Sequence, residues 1–306
     1  MIQLEHLTKE YNGVRAVNDL TTEIPDGEIF GLLGPNGAGK STTILMLTGL
    51  IEPTSGRCLI GGLDVARDPI RVKQQIGYMP EDVGFYASLS AEENLTYFGR
   101  LYGMDTPACK ERSAELLSLV GLEGVTKDVG GYSKGMRQRT KLAQALVHEP
   151  RMLFLDEPFT GTDPLARRDL IDAIRGLEGT GRSVLVSSHI LHEVEALTPN
   201  VVLLHRGRLV AEGHVRQIRD LIDAHPHRIV LVCDDCRALA AKLVRWEDVE
   251  GLTMLRAQKG LLVETRRPDA FYARLPAISM EDGTALREVY SDDDNLEAVF
   301  KYLVSK

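Results

Sequence analysis

The sequence predicts an α/β fold: a parallel sheet covered by helices, flanked by antiparallel strands, interrupted by a helical segment and followed by a small α+β appendage. Three observations carry that expectation. Apolar strand-like runs alternate with helical patterns, as in EIFGLLG before GKSTTILMLTGL, RMLFLDEP before PLARRDLIDAIRGLE, and RSVLVSSH before ILHEVEAL. The first of these joints, GPNGAGKST at 34–42, is a glycine-rich loop between a buried-type strand and an apolar helix. The length, 306 residues, is long for one domain and suits a main domain plus an appendage.

Taken along the chain, the alternating segments 2–7 and 14–24, with CLIGG at 58–62, read as the antiparallel flank. From about 84 to 148 the pattern is helical. Ser90 and Glu93 match a capping box ahead of ENLTYFGRLYG, and PACKERSAELLSLVGL and KGMRQRTKLAQALVHE keep the helical period. The character changes near 216. RIVLV, a hairpin turning at Lys259-Gly260, PDAFYARL, LREVYS and a final helix NLEAVFKYLVSK predict the accessory domain, 216–306, after a main domain of 1–215. There is no internal duplication.

Apolar content of 43% with 26% charged residues is ordinary for a globular chain able to bury a core. A formal charge of -8 and the lack of a basic run argue against a protein that coats nucleic acid. MIQLEHLTKEYNG has neither the basic start nor the apolar stretch of a signal peptide, and nothing approaches the ~18 apolar residues of a spanning helix. A cytoplasmic protein is expected, with any membrane role borrowed from a partner. Of the four cysteines, Cys58 and Cys109 stand alone, in keeping with a reducing compartment, while Cys233 and Cys236 form CDDC after His225 and His227. That set has the number of ligands zinc wants, but RIVLV reads as a strand holding the pairs apart; a turn with two half-buried thiols is the plainer expectation.

The chemistry begins at the glycine loop, which fits G-x-x-x-x-G-K-[ST] in full. Backbone amides of Gly34, Pro35, Asn36, Gly37, Ala38 and Gly39 form its wrap, proline contributing shape and no N–H. Lys40 can reach β and γ phosphates, Ser41 can ligate magnesium, and Thr42 completes the motif. The expected fold is therefore a P-loop NTPase. RMLFLDEP ends a strand in two carboxylates: Asp156 suits magnesium and Glu157 suits orienting or deprotonating a water. In GYSKGMRQR, 131–139, Ser133 reads as an N-cap and Gly135 leaves amides uncovered at the positive end of a helix dipole, an anion site or simply a capped helix.

Tyr11, GPNGAGKS, YSKGM, LFLDE, the TGTD of 160–163 and His189 follow the order and near spacing of the nucleotide-binding subunits of ATP-binding cassette transporters, which residues 1 to about 215 resemble. The resemblance implies that Tyr11 stacks on adenine, Lys40 and Ser41 serve phosphates and magnesium, Glu157 is the hydrolytic base, His189 contacts the γ phosphate, and Asp163 lies in a loop facing the opposite subunit. Ser133 and Gly135 would then face an ATP held by a second chain, which explains a second phosphate site in one sequence. Three departures stand out. Lys134 replaces a glycine of the usual Leu-Ser-Gly-Gly-Gln, Glu81 replaces a glutamine that meets magnesium through water, and Thr162 replaces a common leucine. YSKGM, MPE and the C-terminal LEAVF resemble the drug-resistance and sodium-efflux branch, which implies export.

The implied partners are a second cassette subunit, identical or not, and integral membrane permease subunits, with ATP and Mg2+ as cofactors and no nucleic acid. The implied place is the inner face of the cell membrane. A rival class, cassette ATPases acting on DNA or ribosomes, carries long insertions or two cassettes. Here only about fifty residues separate Glu81 from Tyr132, and there is one phosphate loop.

Overall fold

A computed structural model describes residues 1–82, 84–220, 226–255, 260–282 and 286–291. Elements are numbered in chain order. The chain divides into two compact units, Met1–His214 and Val215–Lys306.

In the first unit, β1 (Ile2–Tyr11), β2 (Val14–Ile24), β4 (Ser55–Ile60) and β5 (Leu63–Asp64) make an antiparallel sheet in the order β2-β1-β4-β5. A second, six-stranded sheet runs β10-β9-β3-β8-β7-β6. It is built from β3 (Ile29–Leu33), β6 (Ile76–Met79), β7 (Met152–Asp156), β8 (Ser183–Ser188), β9 (Asn200–His205) and β10 (Arg208–His214). The first five in space after β10 pair in parallel, and β10 joins β9 antiparallel at the edge. Every residue of β3, β7 and β8 is buried, as expected of strands covered on both faces. Period 2 sorts their side chains between two cores. Met152 and Phe154 point toward the antiparallel sheet and helix α1 (Lys40–Leu47), whereas Leu153 and Leu155 point toward the helices on the other side.

Those helices are α3 (Ala91–Leu101), α4 (Thr106–Leu119), α5 (Lys134–Ala145), α6 (Pro164–Arg175) and α7 (Leu191–Glu195); α2 (Pro69–Lys73) packs on the opposite core through Val72. The capping box at α3 forms in full: the Glu93 amide donates to Ser90 Oγ at 3.2 Å and the Ser90 amide to Glu93 Oε2 at 2.8 Å. The β9–β10 hairpin was not part of the sequence expectation. It turns at Arg206-Gly207, both in the left-handed region (φ 48° and 78°), which is how a two-residue hairpin matches strand twist. Among the described residues no helix is long and apolar enough to cross a membrane.

The second unit is an antiparallel sheet, β12-β13-β11-β14, from β11 (His227–Cys233), β12 (Gly251–Leu255), β13 (Gly260–Thr265) and β14 (Leu286–Ser291). Helices α9 (Cys236–Leu243) and α10 (Pro268–Asp282) supply Leu239, Leu243, Phe271 and Leu275 to its core, and α8 (Val215–Asp220) opens the unit. Leu255 pairs with Gly260, so the predicted hairpin exists; Lys259 and the final NLEAVF segment lie outside the described residues. Cys233 and Cys236 are thiols, buried rather than half-buried, with sulfurs 2.9 Å apart, because the strand end and the first turn of α9 both face the core. Burial pushes the Cys233 thiol up to about 12, its hydrogen bond with Cys236 adding to the effect. His227 sits at the far end of β11, His225 lies outside the described residues, and no group of three metal-ligating side chains occurs among the described residues.

Candidate functional site

β3 delivers the glycine loop from the centre of the parallel sheet, between β8 and β9, to the start of α1. Gly39 holds the turn in the left-handed region (φ 102°), and a Cβ there would meet the Ala16 carbonyl oxygen at 2.5 Å. The Gly207 amide donates to the Ala38 carbonyl at 3.0 Å and the Asn18 amide to the Gly207 carbonyl at 2.8 Å. Three backbones thus meet at the loop: its own, the start of β2 and the β9–β10 turn. The amides at the head of α1 have no acceptor within the helix and form its positive end.

Lys40 is 6% exposed; it donates to Gly34 O at 2.8 Å and Pro35 O at 3.4 Å and forms an ion pair with Glu157 Oε1 at 3.3 Å. Ser41 Oγ donates to Asp156 Oδ1 at 3.1 Å. Asp156 ends β7, and Glu157 follows it in the left-handed region (φ 47°), a conformation costing about 1–3 kcal/mol in a non-glycine residue and sustained only by its surroundings. Those surroundings are specific. The Glu157 amide donates to Ser187 Oγ at 3.0 Å, while Ser187 Oγ donates to Asp156 Oδ1 at 2.6 Å, so one hydroxyl ties both acidic residues. Glu157 Oε2 lies 2.8 Å from His189 Nδ1. On β6, the Tyr78 hydroxyl is pushed up to about 12, by burial first and by the Asp156 charge second.

The structure therefore brings Lys40, Ser41, Asp156, Glu157 and His189 into one cluster. Ser187 belongs there too and was missed; the signal was a pair of serines closing an otherwise apolar strand, RSVLVSSH. Tyr11 stands at the end of β1, 45% exposed, with Lys9 Nζ 5.1 Å from its ring centre. Glu81, after β6, has an exposed side chain, and its carbonyl accepts from Lys141 Nζ. Ser133 caps α5, accepting from the Met136 amide at 3.2 Å. Gly135 is buried against the next helix: a Cβ there would meet Ala166 Cβ of α6 at 2.4 Å. The missing side chain makes room for a neighbouring helix. Lys134 extends along Gly161, whose left-handed φ of 67° and lack of a Cβ let the chain pass. Asp163 caps α6 through the Ala166 amide at 2.9 Å.

Residues 17–160 match the family described as "ABC transporter". The chain is 39% identical over 214 residues to the linearmycin resistance ATP-binding protein LnrL of Bacillus subtilis (strain 168), covering 70% of this chain and 69% of that one. It is 38% identical over 248 residues to the daunorubicin/doxorubicin resistance ATP-binding protein DrrA of Streptomyces peucetius, covering 80% and 75%. A solved ATP-binding subunit of an ABC transporter superposes with a TM-score of 0.66 at 34% identity, over 72% of this chain and 93% of that one. A phosphate loop set against paired acids at a strand end, on a sheet shared with such relatives, has one reading: the chain belongs to the ATP-binding subunits of the ABC transporter family.

Proposed function

We propose that this subunit hydrolyses Mg2+-ATP between two cassettes and uses that cycle to drive export through separate membrane subunits. The observation that carries the hydrolytic part is Glu157: a buried carboxylate at the strand end, held between Lys40 and His189 in a conformation that its neighbours impose. A carboxylate so placed can take a proton from an attacking water, and His189 holds its second oxygen. Lys40, now bonded to two loop carbonyls and to Glu157, exchanges those partners for phosphate oxygens when nucleotide enters, and this frees Glu157 Oε1. Gly34, Pro35, Asn36, Gly37, Ala38, Gly39, Ser41 and Thr42 enclose the phosphates.

A hard divalent cation fits the same place. Ser41 Oγ and Asp156 Oδ1 are 3.1 Å apart, close to the ~3 Å between neighbouring oxygens around an octahedral ion at about 2.1 Å. Two buried carboxylates against one buried ammonium also leave negative charge to offset. When bound, Mg2+ supplies positive charge to the phosphates; Ser41 and Asp156 hold it directly and Glu81 through water. Tyr11 stacks on the adenine. Ser133 and Gly135 complete the site of a second cassette, identical or not, and residues 216–306 form a regulatory or dimer-supporting domain. The resistance functions of LnrL and DrrA favour export, with this subunit at the inner face of the cell membrane.

The test is Glu157→Gln. It should keep ATP binding and lose turnover by about 10² to 10⁴. Hydrolysis at the rate of the parent would remove Glu157 as the base.

A further inference from the structure

Three residues outside the cluster join its histidine to the loop that precedes α6. Ser188, wholly buried at the end of β8, donates from Oγ to Glu193 Oε2 at 2.8 Å and accepts from the Ile190 amide at 3.0 Å. His189 lies between Ser188 and Ile190, so the Ser188 hydroxyl pins the turn that presents it. Glu193, 3% exposed, turns its other oxygen to Arg167 Nε at 3.2 Å, an ion-pair contact without the alignment of a hydrogen bond. Arg167 stands in the first turn of α6, its amide bonded to the Asp163 carbonyl at 2.9 Å. α7 itself is seated on the sheet by Val194, whose methyl occupies the space a Cβ on Gly31 would need. The path is continuous: loop 160–163, Arg167, Glu193, Ser188, the His189 turn, and Glu157 at 2.8 Å.

An ion pair with one buried and one partly exposed member adds little net stability, whereas removing Arg167 leaves the buried Glu193 charge uncompensated. Stability is therefore a weak reason for this pair, and geometry a better one. We propose that Arg167, Glu193 and Ser188 are positioning residues that set His189 against Glu157 and make that setting depend on the 160–163 loop. Resting on the hydrolytic role of Glu157 proposed above, this means that a second cassette pressing on the loop reaches the histidine through one ion pair and one hydroxyl.

The experiment uses the full chain and four variants: Arg167→Met, Glu193→Gln, both together, and Arg167→Lys. ATP hydrolysis gives kcat and KM, and thermal unfolding reports the fold. Each single variant should lower kcat about tenfold, within the range seen for coupling residues, while KM stays within about twofold. The double variant should lose no more than either single one, because both cut the same path. Arg167→Lys, which keeps the cation, should recover most of the rate. Unchanged kcat in Arg167→Met, multiplied losses in the double variant, or a rise in KM alone would overturn the relay. Arg167 is partly exposed, so if Glu193→Gln fails to fold, Arg167→Met and its lysine counterpart decide the matter by kcat alone. Glu157→Gln, measured alongside, separates the two ideas: sustained turnover there sinks the hydrolytic assignment, whereas failure of the relay leaves that variant inactive.

Discussion

Gly135→Ala is the sharpest probe of how the α5 start is built. The new methyl carbon would lie 2.4 Å from Ala166 Cβ. Apolar carbons rest about 3.5–4.0 Å apart, so the first turns of α5 and α6 must separate by about 1.1–1.6 Å. Neither partner is the tip of a flexible side chain, and the backbone has to move. Overpacking of this kind costs about 1–3 kcal/mol. At about 2–4 °C per kcal/mol for a domain of this size, the thermal midpoint should fall by about 2–12 °C. Function should suffer more than stability, because Ser133 rides on that turn and a misplacement near 1 Å can cost about 10² where groups must meet. The assay is sedimentation of the Glu157→Gln chain with ATP or ADP, beside equilibrium binding of ATP to the monomer. Binding should be unchanged and ATP-dependent pairing lost. Ala166→Gly removes the opposing methyl and should restore pairing to the double variant, at about 0.5–1 kcal/mol for glycine in a helix. Pairing by Gly135→Ala at the ATP concentration of its parent, or no rescue by Ala166→Gly, would refute the packing account.

His148 Nε2 lies 2.8 Å from the Ile76 carbonyl, its ring stacks on Tyr102 at 3.7 Å, and burial, with Arg112 nearby, holds it below the ordinary histidine value. The unfolded chain then binds the proton more readily, so stability should fall as pH drops through about 6.5, and His148→Gln should flatten that fall between pH 7 and 5; equal slopes in both chains would contradict it. A chain ending at His214, where the first unit closes, should bind ATP as the full chain does; a folded truncation without binding would show that the second unit contributes to the site.

Strand, loop and helix in the first unit were readable because their causes are local. Met152 to Leu155 alternate between two cores, Ser90 and Glu93 cap by their own spacing, and GPNGAGKS needs only its own glycines. Lys40 could be named from the glycine-loop motif, and Asp156 and Glu157 from the end of their strand. What the sequence hid depends on residues far apart. Ser187 bonds across to β7, a contact set by parallel register. The packing role of Gly135 was hidden because its neighbour, Ala166, comes 31 positions later. The β9–β10 hairpin was missed because Leu203 and Leu204 are both buried, which breaks the alternation that marks a strand with one wet face. CDDC followed the same pattern: spacing fixed the pair, and packing of α9 decided its burial.

The meeting of three backbones at Gly39, Ala16 and Gly207 is almost bare of side chains, and this changes what a genetic survey would find there. Substituting alanine, the usual way to locate important residues, removes nothing at a glycine; it inserts a wedge. Gly39 and Gly207 would both register as intolerant, yet for opposite reasons from a catalytic residue, since what is lost is empty space. The height of the phosphate cradle over the sheet is thus recorded in no functional group at all. Movement of the antiparallel sheet against the β9–β10 turn is felt at this spot, which gives the nucleotide a mechanical address where chemistry has nothing to label.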